Sequence, residues 1–239
     1  MSQKKEYFHS LEKFIKFNQY GITELYVSSS GNKVSEKQAL EFSEVLSHYK
    51  SLKHLELFLY NRKIGDVGIS YIVTALSNCV LITKLELSLI DNQISDDGAL
   101  AIGAALSKLK NLTKLDLWLY QNKFGDKGVE EIAAGLRNCL QIKSLSIGLG
   151  QNNIFDQGYF KFDQCLSFLP NLFSLYCYLR GSEKLLKSRE LINCKNINVL
   201  TLSLSSNRSI SFQHQVKALK IKRLVKFHVR SHDDFDEYQ

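Results

Sequence analysis

The sequence predicts an α/β solenoid, with one parallel β-sheet on its concave face and helices on its convex face. Three observations predict it. A leucine pattern recurs every thirty residues, each recurrence opens with apolar alternation of period two, and each continues with apolar residues at helical spacing. At 239 residues, 44% of them hydrophobic, the chain is long enough for a continuous repeat array. A single proline, Pro170, argues against interposed linkers.

The strands come first in each unit. Leu25, Leu55, Leu85, Leu115, Leu145 and Leu175 fall in one column, with Ile22, Leu52, Ile82, Leu112, Ile142 and Leu172 three residues earlier. Two residues later stand Val27, Leu57, Leu87, Leu117, Ile147 and Cys177. Four residues later stand Leu59, Leu89, Leu119, Leu149 and Leu179, with Ser29 in the first unit. A segment such as 115–119 therefore reads as a short strand whose alternate leucines point inward.

A turn follows. Asn32, Asn92, Asn122 and Asn152 occupy one position, and Arg62 and Ser182 are the exceptions. A buried Asn there can satisfy backbone groups left unpaired where the strand turns away, so stacked copies predict a ladder. Asp66, Asp96, Asp126 and Asp156 then read as helix N-caps, each followed two residues later by Gly68, Gly98, Gly128 or Gly158. The helix buries Phe42, Ile72, Ile102, Ile132 and Phe162, and one turn on Leu46, Leu76, Leu106, Leu136 and Leu166. That spacing is one apolar stripe.

The ends differ. Residues 1–20 read as an N-terminal capping helix, amphipathic with Phe8, Leu11, Phe14 and Ile15 on one face. Residues 21–199 hold six repeats, 200–230 hold shorter C-terminal repeats and a cap, and 231–239 form an acidic tail. Leu200 lies 25 residues after Leu175, and a last strand is expected at 225–229 after another 25, for eight strands in all. The initiator Met and the two apparent caps suggest a complete unit.

The pattern L-x-x-L-x-L-x-L-x-x-N-x-I-x-D-x-G-x-x-x-I-x-x-x-L resembles leucine-rich repeats of the ribonuclease-inhibitor type over residues 22–229. The resemblance implies a horseshoe of alternating strands and helices. The same scaffold serves inhibitors, GTPase activators, immune sensors and assembly factors, so function must come from the exposed side chains.

Those side chains can be mapped, because equivalent residues on successive parallel strands form rows about 4.8 Å apart. One row reads Tyr26, Glu56, Glu86, Asp116, Ser146, Tyr176, Thr201, Lys226. The next reads Ser28, Phe58, Ser88, Trp118, Gly148, Tyr178, Ser203, His228. A third, at the strand exits, reads Ser30, Tyr60, Ile90, Tyr120, Gly150, Arg180, Ser205, Arg230. Aromatic residues on a solvated face are characteristic of binding hot spots. They also have high strand propensity and pack across neighbouring strands. The carboxylates Glu56, Glu86 and Asp116 would repel one another and gain from a cationic partner. They equally suit a solvated row offset by Lys53, Lys84 and Lys114. Gly148 and Gly150 should leave a shallow spot.

Charge is uneven. Residues 1–179 carry 19 basic and 18 acidic side chains, a net of +1, whereas 180–230 carry 12 and 2, a net of +10. Lys217, Lys220, Lys222, Arg223, Lys226 and Arg230 form a basic patch that could face nucleic acid, an acidic protein or the chain's own acidic tail.

Catalysis finds no support: there is no P-loop, dinucleotide fingerprint, zinc-protease helix or nucleophile elbow. No cofactor and no metal are expected. The expected function is a non-catalytic scaffold for a protein partner, free or within a large assembly. Regulation of a small GTPase and RNA contact through the basic end are the alternatives. Five cysteines with no C-x-x-C pair, and an N-terminus lacking a signal-peptide core, predict a cytoplasmic or nuclear rather than a secreted protein. No apolar run is long enough to predict a membrane span.

Overall fold

The computed structural model describes residues 4–19, 21–29, 33–178, 194, 196–203 and 226–230. Nine parallel strands pair in chain order into one sheet. They are β1 (Lys5–Phe8), β2 (Glu24–Ser28), β3 (His54–Phe58), β4 (Lys84–Ser88), β5 (Lys114–Trp118), β6 (Ser144–Gly148), β7 (Ser174–Tyr178), β8 (Val199–Ser203) and β9 (Lys226–Arg230). The described helices are α1 (Leu11–Ile15), α2 (Glu36–Leu46), α3 (Gly65–Ser77), α4 (Asp96–Leu106), α5 (Asp126–Leu136) and α6 (Asp156–Leu166).

Leu55, Leu85, Leu115 and Leu145 lie side by side on β3 to β6. They and the leucines two residues on are buried against the helix stripe of Ile72, Ile102, Ile132 and Phe162. A strand this short cannot hold its own apolar face out of water, so each unit depends on the stacked neighbours that complete the core. Leu59, Leu89 and Leu119 extend the pairing beyond the strands, each amide donating to a carbonyl of the next unit at 2.8–2.9 Å.

The chain then turns through left-handed residues, Asn61, Asp91, Gln121 and Gln151, at φ between 54° and 59°. Such a conformation costs an L-residue about 1 kcal/mol or more. The predicted asparagine ladder offsets it. Asn92 Oδ1 accepts from the amides of Arg62 and Ile64 at 3.0 and 3.3 Å, while its Nδ2 donates to Leu59 O at 2.6 Å. Asn122 repeats this one unit on, accepting from Asn92 N and Ile94 N and donating to Leu89 O. Arg62, one of the two exceptions in the pattern, performs the donor half of the same task. It is buried, its Nε donates to Ser29 O at 3.0 Å, and its Nη2 reaches the same carbonyl.

The aspartates do not cap their own helices. The N-cap residues are Ser95 for α4, Gly125 for α5 and Phe155 for α6, so Asp96, Asp126 and Asp156 are the first helical residues. The carboxylates of Asp66, Asp96 and Asp126 instead reach into the next repeat. Asp66 Oδ1 accepts from Ser95 N at 2.8 Å and Gly98 N at 3.1 Å, Asp96 Oδ1 from Gly125 N at 2.7 Å and Gly128 N at 2.9 Å, and Asp126 Oδ1 from Phe155 N at 2.7 Å. The first-turn amides of one helix are thus satisfied by the preceding unit.

The N-terminus corrects a second expectation. Residues 5–8 form a strand, parallel to β2 with Phe8 beside Val27, and only the five residues of α1 are helical. Phe8 packs on Phe14 and Phe17 at centroid distances of 5.4 and 4.9 Å. Burial alternates along Lys5–Phe8, and the charged Lys5 and Glu6 suit the end of a sheet. The sheet therefore has nine strands where eight are expected.

All five cysteines are unpaired and buried. Cys79 Sγ meets Leu46 O at 3.8 Å and Cys139 Sγ meets Leu106 O at 3.2 Å, the same contact one unit back in each case. Burial pushes the Cys79 thiol up to about 11 and the Cys139 thiol up to about 12.

Candidate partner-binding surface

The outward residues of the strands form the rows that period two dictates. Strand register sets Tyr7, Tyr26, Glu56, Glu86, Asp116, Ser146, Tyr176 and Thr201 in one line, and Ser28, Phe58, Ser88, Trp118, Gly148 and Tyr178 in the next. At the last strand the expected rows shift. Phe227, not Val225, pairs with Leu200, so Lys226 lies at the strand entrance beside Val199, His228 joins the first row and Arg230 the second. A slip of two residues preserves the parity of a strand, so alternation alone does not separate the two registers.

Within the carboxylate row the three acids are in different situations. Asp116 is buried and pairs with Lys114 Nζ at 2.7 Å. This bond raises the Lys114 ammonium above its usual range. Glu56 meets His54 Nε2 at 3.0 Å. Glu86, between them, makes no ion pair among the described residues, and neither do Lys53 and Lys84. Burial, and then the charges of Asp116 and Glu56, hold the Glu86 carboxyl above the usual carboxylate range, opposed by Lys114 and by a hydrogen bond from the Trp118 side chain. Of the three lysines that would balance this row, one is engaged.

The aromatic residues gather in two groups. Tyr7, Tyr26 and Phe58 run across β1 to β3 with ring centroids 5.7 and 5.4 Å apart, and His9 touches Tyr26 at 5.7 Å. Further along, Trp118 meets Tyr176 edge-on at 5.8 Å and 79°, and Tyr120 meets Tyr178 at 5.1 Å. Both contacts cross β6, from β5 and the residues just after it to β7, and glycine makes this possible. A Cβ on Gly148 would lie 3.1 Å from Trp118 Cε3 and 3.2 Å from Tyr120 Cδ1. The shallow spot expected at Gly148 is therefore filled by rings from β5. The rings do pack across strands, and Trp118, Tyr120, Tyr176 and Tyr178 all remain partly exposed. Tyr60 stands apart at 49% exposure, with the Arg62 guanidinium 5.6 Å from its ring centre.

The structure thus brings together Glu56, Glu86, Asp116, Trp118, Tyr120, Tyr176 and Tyr178, with Phe58 and Tyr60 nearer the N-terminal end. Tyr7 belongs to the face but its segment reads as a helix in the sequence, because Lys5-Glu6-Tyr7-Phe8 shows no apolar alternation. Arg180, Lys217, Lys220, Lys222 and Arg223 lie outside the described residues, and Lys226 and Arg230 are placed by backbone register only. Among the described residues no group of three His, Cys, Asp or Glu is positioned to hold a metal ion, and no helix is long and apolar enough to cross a membrane.

Parallel strands in chain order, inward leucines, an asparagine ladder and a helix returning each unit define the class: the chain is an α/β leucine-rich-repeat solenoid. No protein-family model matches it, and no curated protein matches it. Among solved structures, internalin C2 of Listeria monocytogenes is similar, at 17% identity and a TM-score of 0.48, covering 87% of this chain and 71% of that one.

Proposed function

We propose that the chain is a non-catalytic scaffold that binds a partner protein on its concave aromatic and acidic face, as an adaptor or as a subunit of a larger assembly. The observation that carries this reading is the ring cluster of Trp118, Tyr120, Tyr176 and Tyr178 on the outer side of the sheet. Its members hold one another in place, so little side-chain freedom is lost when a partner covers them. Rigid aromatic anchors of this kind dominate binding energy at protein interfaces. Helical rather than extended convex segments, on a thirty-residue period, favour the ribonuclease-inhibitor type of repeat. Unpaired buried thiols suit a reducing compartment, the cytosol or nucleus.

Cross-linking from Tyr60 or Tyr178, followed by identification of the captured protein, tests the reading. Trp118→Ala together with Tyr176→Ala should weaken that partner's binding by about 2 kcal/mol or more, some thirtyfold, while the far-UV circular dichroism is retained. Unchanged affinity would remove these residues from the site.

A second reading is favoured by the net charge of +10 over residues 180–230. RNA contact there predicts strongly salt-dependent binding that is lost when Lys217, Lys220, Lys222 and Arg223 are neutralised.

A further inference from the structure

We infer that the occupant of the concave face is a cationic, extended segment of a partner protein, whose Lys or Arg side chains enter the row of Glu56, Glu86 and Asp116 and lie against Trp118. The inference rests on the docking reading above and adds the chemistry of the partner.

The argument starts from desolvation. A surface that covers Trp118 lies over Glu86 as well, because the two sit on adjacent strands in adjacent outward rows. Withdrawing an ionised carboxylate from water is costly unless a charge or several donors replace the lost water. Glu56 and Asp116 each have a nitrogen partner within the chain, His54 Nε2 at 3.0 Å and Lys114 Nζ at 2.7 Å. Glu86 makes no ion pair among the described residues, and it has acids on both neighbouring strands. A neutral or acidic partner would leave it buried and repelled. A guanidinium or ammonium would complete its shell and relieve the repulsion from both sides.

Trp118 adds an independent preference. Its indole is the best of the aromatic faces for a cation, and Tyr176 stands edge-on against it at 5.8 Å. The row from β3 to β5 spans two inter-strand steps, ~9.6 Å, which about three residues of extended chain would cover. The chain as a whole carries +7, so overall attraction does not draw a basic segment here; the selectivity must be local. A divalent cation is a poorer fit, since a row of carboxylates does not converge on one point.

The test selects a random-peptide display library on the whole chain and measures the recovered peptides by fluorescence anisotropy. The expected result is enrichment in Lys and Arg. Affinity should fall about tenfold or more when Glu56→Gln and Glu86→Gln are combined, and again when arginine in the peptide is replaced by citrulline. The citrulline arm leaves the protein untouched, so it decides the matter even if the double variant folds poorly. Peptides that need Trp118 but are neutral or acidic, or that tolerate citrulline, would overturn the cationic occupant and leave the docking reading standing. Recovery of no peptide sensitive to Trp118→Ala would overturn both.

Discussion

Asp96 Oδ1 lies 2.9 Å from the amide nitrogen of Gly128 in the following repeat, and it can do so because Gly128 has no side chain. A Cβ there would stand 2.7 Å from that oxygen, 2.8 Å from Phe124 Cβ and 2.9 Å from Ala99 Cβ. The same relationship joins Asp66 to Gly98, where a Cβ would lie 2.5 Å from the carboxylate oxygen, and a Cβ on Gly158 would likewise lie 2.5 Å from Asp126 Oδ1. Aspartate and glycine, two residues apart in sequence, are thus the two halves of a joint whose partners belong to adjacent units.

This joint reverses the usual effect of a helical glycine. In an exposed helix Gly→Ala gains about 1 kcal/mol. Gly128→Ala should instead destabilise by ~2 kcal/mol through overpacking, read as a lower urea midpoint. Asp96→Ala, which removes acceptors from Gly125 N and Gly128 N, should cost about 2–3 kcal/mol. Combined, the two changes should cost less than their sum, since the alanine no longer meets a carboxylate. Strict additivity would show that the joint does not exist.

Arg62 supports a second comparison. Arg62→Ala leaves the buried Ser29 carbonyl without its guanidinium donor and should cost about 2 kcal/mol. Arg62→Asn places an amide where Asn92 and Asn122 have theirs and should recover more than half of that loss, although the contact with the Tyr60 ring disappears. Chemical denaturation of both variants measures the difference; equal losses would mean that Arg62 acts by packing alone.

Glu86 links the face to pH. Its carboxyl is held above the ordinary carboxylate value in the folded chain, chiefly through burial and then through Asp116 and Glu56. At neutral pH the ionised folded form therefore carries a penalty that the unfolded chain does not. As pH falls through the raised folded value, Glu86 takes up its proton first in the folded state and the penalty is relieved. Glu86→Gln, which keeps an acceptor for Trp118, should raise the melting temperature at pH 7, with the gain shrinking through the carboxylate range and absent below the unfolded value. A gain that persists unchanged at acid pH would assign the effect to something other than this charge.

The sequence by itself determined the period, the parity of every strand from β2 to β7 and the helix stripe. These follow from side-chain spacing along the chain, and a buried leucine column has one way to face. It also marked Glu86, Trp118 and Tyr176 as outward, because parity places them opposite the leucines. Only the tertiary structure decided which neighbour each polar group meets. Asp96 reads as a cap for its own helix and serves the next one, because the amides of the next unit come within its reach only when the units stack. Gly148 reads as a gap and is a floor beneath Trp118 and Tyr120, because ring rotamers on β5 depend on what β7 presents. Residues 5–8 and the register of β9 escaped for the same reason. At the ends of the array a unit has one neighbour, the periodic signal is weakest, and pairing with that neighbour sets the outcome.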